Sequence, residues 1–154
     1  CLHPDYSNNG WIYFSYSALD RESPRPAGNT AIMRAKLKGD RLTDQQIIYK
    51  GTPGTDRNYH FGCKIAFDNK GHIFFGIGDR GQHFDFPQKL DNSNGKIHRL
   101  NDDGTIPPDN PFVKTPGALP SIYSYGHRNP QGTCIDPLTG ELWISEHGPR
   151  GEMN

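Results

Sequence analysis

Hydrophobic residues are scarce in this 154-residue sequence. They make up 32% of it, and adding the glycines raises the share only to roughly 44%, just under the usual level for globular domains. Net charge is missing too, since 17 Lys and Arg cancel 17 Asp and Glu. No global basic field exists to hold nucleic acid or anionic lipid. Eighteen apolar residues never run together, which excludes a membrane-spanning helix. Cysteine is limited to Cys1, Cys63 and Cys134, too far apart for a zinc pattern or a CxxC redox pair and enough for one disulfide at most. What the chain does have is 18 Gly and 13 Pro, a mix that disfavours long helices and favours short elements joined by turns. Aromatics at 11% argue against disorder. The composition predicts a turn-rich, all-β protein.

Internal self-similarity gives the organisation. His3-Pro4-Asp5 leads through a turn to Gly10 and the strand Trp11 to Ser17. Ile65-Ala66-Phe67-Asp68 leads to Gly71 and the strand His72 to Gly78. Cys134-Ile135-Asp136 leads to Gly140 and the strand Glu141 to Glu146. The three aspartates, at 5, 68 and 136, stand 63 and 68 residues apart. An Asp at such a turn caps its own backbone and the Gly supplies a positive φ, so each unit is expected to be a hairpin. Further strands are expected at Ala31 to Leu37, Gln45 to Tyr49, Lys96 to Leu100 and Ser121 to Tyr125, with loops at Arg21 to Asn29 and Asn101 to Pro120.

About four strands per period fits the blades of a β-propeller, although sandwiches also contain many short strands. Residues 1–154 then form a single partial propeller domain of about two to two and a half four-stranded antiparallel blades, with no second domain. Propellers close with about four to eight blades, and an unclosed set exposes sheet edges. Both ends also look cut. The expectation is a segment of a longer protein, or a chain whose remaining blades come from another chain.

Several loops concentrate polar chemistry. His60 precedes the second hairpin and Asp79 follows it, so two consecutive strands return the chain to the same end of the sheet. A His oriented by a carboxylate is a competent general base near neutral pH; the plainer alternative is a loop cap and a turn. Gly78-Asp79-Arg80-Gly81 lacks the Lys-Ser/Thr and following helix of a phosphate loop. Gly126-His127-Arg128-Asn129-Pro130-Gln131-Gly132 packs planar donors and acceptors suited to carboxylates or carbonyls, or else pairs its Arg with a blade carboxylate. Glu146-His147-Gly148-Pro149-Arg150-Gly151 ends the third hairpin, where backbone carbonyls can ligate a hard cation such as calcium. Asn101-Asp102-Asp103-Gly104 lacks the spacing of an EF-hand and reads as an Asp-Gly turn.

Taken in order, His60-Phe61-Gly62, Gly78 to Gly81, Asn94 to Ile97, Asp103 to Pro111, Gly126 to Gly132 and Glu146 to Gly151 resemble the soluble pyrroloquinoline-quinone (PQQ) sugar dehydrogenases. This is the glucose/sorbosone dehydrogenase family, and within it the aldose sugar dehydrogenases. The resemblance spans nearly the whole chain and implies part of a six-bladed propeller. It implies oxidation of an aldose at its anomeric carbon to a lactone, with hydride passing to the quinone and electrons to an external acceptor. His60 resembles the general base, Asp79 its orienting carboxylate, and Arg128 the group facing the quinone carbonyl. Asn129, Gln131 and His147 resemble further PQQ contacts, and Gly148 and Pro149 match positions whose backbone carbonyls hold calcium. A periplasmic or secreted location is implied by the same analogy.

Two departures stand out. Gly62-Cys63-Lys64 replaces the usual Gly-Gly-Arg, losing a planar guanidinium fork. Glu152-Met153-Asn154 is shorter than the common ending, which puts a second calcium site near Glu152 in doubt. The competing reading is a non-catalytic propeller of the same superfamily that binds protein or ligand. A binding module needs none of His60, Asp79 and Arg128. A glycoside hydrolase would need two carboxylates flanking a sugar, which the sequence does not place.

Overall fold

The computed structural model describes residues 1–21, 25–81 and 84–148. Nine strands form three antiparallel sheets. The first contains β1 (Trp11–Asp20), β2 (Ala27–Lys38) and β3 (Arg41–Lys50), with Leu2 bridged to Ile12 at its inner edge. The second is a complete four-stranded unit of β4 (Ala66–Phe67), β5 (His72–Ile77), β6 (Lys96–Asn101) and β7 (Ile122–Tyr125). The third pairs β8 (Pro130–Ile135) with β9 (Leu142–Glu146). Among the described residues helix is confined to the single turn α1 (Tyr6–Asn9) and a 3-10 turn at Phe86–Gln88. Among the described residues no helix is long and apolar enough to cross a membrane.

The strand patterns follow their places in the sheets. Along β1 the exposure alternates from Ser15 onward, the period of a half-buried strand. β5 is buried continuously from Ile73 to Ile77, because a sheet lies on each of its faces. β3 is mostly exposed and carries Arg41, Asp44 and Lys50, charges that blunt an open edge. Between the first two sheets lie Ile32, Ile73, Phe75, Ile77 and Leu100, all fully buried. Each contributes about 1.5–3 kcal/mol through burial, more than any one hydrogen bond joining the sheets. A polar network crosses the same interface: Tyr49 Oη lies 3.2 Å from His98 Nδ1, and His98 Nε2 lies 3.0 Å from the Ser93 carbonyl. Burial pulls the His98 pKa down to about 4, so this imidazole is neutral at physiological pH.

Two expectations need correction. β2 begins at Ala27, inside the segment expected to be a loop up to Asn29. Ala27-Gly28-Asn29-Thr30 lacks the bulky residues that mark strands, yet it pairs with Ser17 to Asp20 on β1. Small residues are required there: a Cβ on Gly28 would stand 3.0 Å from the Ala18 carbonyl oxygen. The turn opening the first unit also differs from the other two. The Asp68 carboxylate accepts the N–H groups of Lys70 and His72, and Asp136 those of Leu138 and Thr139. Asp5 instead accepts the Asn8 side chain at 2.5 Å, because α1 occupies the turn. The glycines of all three units do adopt positive φ, at 67°, 90° and 75° for Gly10, Gly71 and Gly140.

At Asp68, burial raises the carboxyl pKa, but the hydrogen bonds from His72 and Lys70 outweigh it and hold it below its ordinary value. A pKa depressed by folding contributes stability above the unfolded-state value of about 3.9, lost as pH falls through the folded one. Asp68→Ala is therefore expected to cost roughly 1–2 kcal/mol at pH 7, with the deficit shrinking below about pH 4. Asp5→Ala should stay within about 0.5 kcal/mol. Denaturant unfolding of the two variants across pH checks both.

Candidate active site

Three loops meet at the end of the second sheet. The first, residues 55–62, runs into β4; the second, 78–81, leaves β5; the third, 126–129, leads from β7 into β8. β5 ends in Gly76-Ile77 and is followed by Gly78, and those glycines permit the approach. A Cβ on Gly76 would fall 2.6 Å from the Pro130 ring, and one on Gly78 2.3 Å from the His60 carbonyl oxygen. Any side chain at either position would push the loops apart.

Here His60 Nδ1 lies 2.6 Å from Asp79 Oδ1, with both side chains largely buried. His60 adopts φ +56°, a left-handed conformation uncommon outside glycine. The same Asp79 oxygen accepts the Gly81 N–H at 2.8 Å. An ionised carboxylate only accepts, so Nδ1 is the donor to Asp79, which in the neutral imidazole leaves the lone pair on Nε2. That is the protonation state a base requires.

The Asp79 N–H donates to the Arg128 carbonyl at 2.7 Å, which joins this pair directly to the third loop. Arg128 is fixed at several further points. Its N–H donates to Glu146 Oε2 at 2.8 Å, and its Nη1 donates to His147 Nδ1, His147 O and Gly148 O at 2.8, 2.9 and 3.1 Å. Asn129 is buried, with Oδ1 accepting the Gly62 N–H at 3.3 Å, so it ties the third loop to the first. Of the four candidate cofactor contacts it is the one turned inward. Gln131 is exposed at a β-bulge where the pairing shifts register between Pro130 and Gly132, a device that re-aims a side chain. His147 is exposed beside Arg128.

Arg128 and His147 lie side by side, a guanidinium and an imidazole able to bind carboxylates or carbonyls. The described residues contribute one of the two carbonyls expected to hold calcium, that of Gly148. Pro149 lies outside the described residues, as does Glu152. Among the described residues no group of three His, Cys, Asp or Glu side chains could hold a metal ion. Asn101 to Gly104 is a turn closed by the Gly104 N–H on the Asn101 carbonyl at 2.9 Å. The three cysteines are free thiols, and burial pushes that of Cys63, beside the first loop, up to about 12.

Two residues that sequence reasoning left without a role hold the site. Glu146 accepts the backbone N–H groups of both Arg128 and Asn129. Its place opposite Pro130 in the β8–β9 pairing explains this, and that register is invisible from spacing alone. Arg80 is fully buried, whereas an Arg in a Gly-rich turn is ordinarily exposed. By contrast, a cleft of about 840 Å³ between the second and third sheets is lined by residues such as His72, Arg99, Tyr123 and Trp143 and by none of His60, Asp79 and Arg128.

Residues 1–154 match the family described as Glucose / Sorbosone dehydrogenase. Aldose sugar dehydrogenase YliI of Escherichia coli (strain K12) is 40% identical over 152 residues, covering 97% of this chain and 40% of its own length. The crystal structure of the soluble aldose sugar dehydrogenase from Escherichia coli in its apo form superposes with a TM-score of 0.90 at 39% identity, across 97% of this chain and 43% of that one. The PQQ-bound aldose sugar dehydrogenase of Streptomyces coelicolor superposes with a TM-score of 0.75 at 31% identity, across 96% of this chain and 41% of that one. The chain thus spans about two-fifths of the length of these relatives. Its sheets are part of a β-propeller: one complete blade, one closed by the Leu2 bridge, and two strands of a third.

Gly78→Ala should separate the dyad, because the new methyl meets backbone and not a movable side chain. The expected cost is roughly 1–3 kcal/mol of stability, with His60 Nδ1 beyond hydrogen-bond reach of Asp79 in a crystal structure of the variant. An unaltered pair would show that the loop absorbs the methyl.

Proposed function

This chain belongs to the glucose/sorbosone dehydrogenase family, and on that premise we propose that its protein oxidises aldose sugars at the anomeric carbon. PQQ is the cofactor, the product is a lactone, and the electrons leave to an external acceptor. One observation carries the reading: the His60–Asp79 pair, closed at 2.6 Å, is joined through the Asp79 N–H to the backbone of Arg128. A base, its orienting carboxylate and a cation-bearing residue are thereby fixed relative to one another.

In this reading His60 Nε2 takes the proton of the anomeric hydroxyl. The imidazolium that results is stabilised by Asp79, which also keeps the ring from rotating. General-base catalysis of this kind contributes about 10²–10⁴-fold. Arg128 supplies positive charge where negative charge accumulates on the acceptor, worth about 3–4 kcal/mol for a well-placed donor. The two contributions are of similar size, so the site depends on both. Arg128, Gln131 and His147 would hold the PQQ, with Asn129 contributing from its buried place behind them. When bound, PQQ supplies the two-electron acceptor that no side chain of this chain provides.

The test uses the full-length protein with PQQ and calcium, an aldose such as glucose, and an electron-accepting dye. Sugar-dependent dye reduction is expected. His60→Ala should lower turnover by about 10²–10⁴-fold while PQQ binding, read by absorbance, survives. Equal loss of both would assign His60 to the cofactor instead of the proton. Wild-type protein that neither turns over nor binds PQQ would favour the non-catalytic binding module.

A further inference from the structure

Arg80 is the largest fully buried side chain of the described residues, and the roles proposed above leave it unused. Among the described residues, the hydrogen bonds its side chain makes are all to the loop that carries His60. Nε donates to Thr55 Oγ1 at 3.2 Å, Nη2 to the Arg57 carbonyl at 2.5 Å and Nη1 to the Tyr59 carbonyl at 2.6 Å. The guanidinium carbon sits 3.4 Å above the centre of the Phe61 ring. The contacts therefore fall at 55, 57, 59 and 61, on both sides of His60 in a bent segment.

The opposite side of the loop is fixed by the first sheet. Thr30 Oγ1 donates to the Phe61 carbonyl at 2.5 Å, and Gly28 and Thr55 exchange backbone hydrogen bonds at 2.8 and 3.0 Å. Arg80 is the next residue after Asp79, and it adopts φ +62°. That left-handed turn sends its side chain beneath the first loop while the Asp79 carboxylate meets His60 above. A Cβ on the following Gly81 would stand 2.3 Å from the Tyr59 ring, so the two segments are already in contact along their length.

We propose that Arg80 is a positioning residue: its buried guanidinium clamps residues 55–61 against 78–81 and so sets the distance between His60 Nδ1 and Asp79. The deduction deepens the reading of His60 and Asp79 as base and orienting carboxylate. A planar fork with several fixed N–H directions is what three acceptors and a ring face require. Lysine offers one point charge and cannot reach all of them. Burial pulls the Arg80 pKa down to about 10, which still leaves it charged at neutral pH and able to donate from every nitrogen. The guanidinium is fully buried, so its own N–H groups would be left without partners if the loop moved away, a cost the folded state avoids.

Arg80→Lys in the full-length protein tests the clamp. The first readout needs neither cofactor nor sugar: the Nδ1 proton resonance of His60, which a short hydrogen bond to a carboxylate shifts downfield and protects from exchange. It is expected to vanish or move upfield in the variant while circular dichroism stays unchanged. The second is kinetic: kcat should fall about 100-fold, the effect of a misplaced catalytic group, with KM for the sugar within about threefold. A wild-type resonance and wild-type kcat in Arg80→Lys overturn the proposal. So does a loss of activity that merely tracks the unfolded fraction. Should Arg80→Lys not fold, Thr55→Val removes one acceptor only. A shifted His60 resonance in that variant supports the clamp, and an unshifted one overturns it. If wild-type protein shows the resonance but no sugar-dependent dye reduction, the dehydrogenase reading fails while the clamp stands.

Discussion

Asp79 is where the parts of this molecule are joined. Its side chain accepts from His60 and from the Gly81 N–H, and its own N–H donates to the Arg128 carbonyl. A carboxylate held at about a tenth of its full exposure is tolerated only when its lone pairs are filled. Satisfying it ties three loops from two sheets together. The orientation of the imidazole follows from that requirement, and the backbone of Arg128 is tied to it by one hydrogen bond.

The scaffold makes the meeting possible by bringing backbones unusually close. Gly76 faces the Pro130 ring and Gly78 faces the His60 carbonyl, so sheet ends and loops touch main chain to main chain. Strands buried on both faces, such as β5, have little freedom to shift. Functional loops anchored to such strands inherit their rigidity. Hydrogen bonds from Thr30 Oγ1 to the Phe61 carbonyl and from the Gly62 N–H to Asn129 Oδ1 extend the same fixing.

Much of the architecture was legible because it repeats. The apolar run, Asp, Gly and aromatic strand recur at matching places, and in two of the three units the aspartate caps its turn as turn chemistry dictates. The first unit departs because α1 fills the turn. The start of β2 was hidden for a different reason: close approach of the Ala18 carbonyl favours glycine at Gly28, and Gly28-Asn29 otherwise reads as a loop. Within the site, the proximity of His60 and Asp79 could be argued from one hairpin lying between them. Glu146 could not be found that way, since its contacts depend on a register across β8 and β9. Arg80 was concealed by its type, because a guanidinium in a glycine-rich turn gives no sign that a neighbouring loop will cover it.

The sequence by itself determined the class of fold, the positions of nearly all strands and which polar residues cluster in loops, since periodicity, turn residues and composition act over a few neighbours. It also carried the family resemblance. Only the tertiary structure decided which nitrogen of His60 meets Asp79, that Asn129 turns inward while Gln131 and His147 face out, and that Arg80 lies beneath the loop bearing the imidazole. Those outcomes depend on contacts between segments tens of residues apart, whose distances are set by how sheets pack and not by local preference.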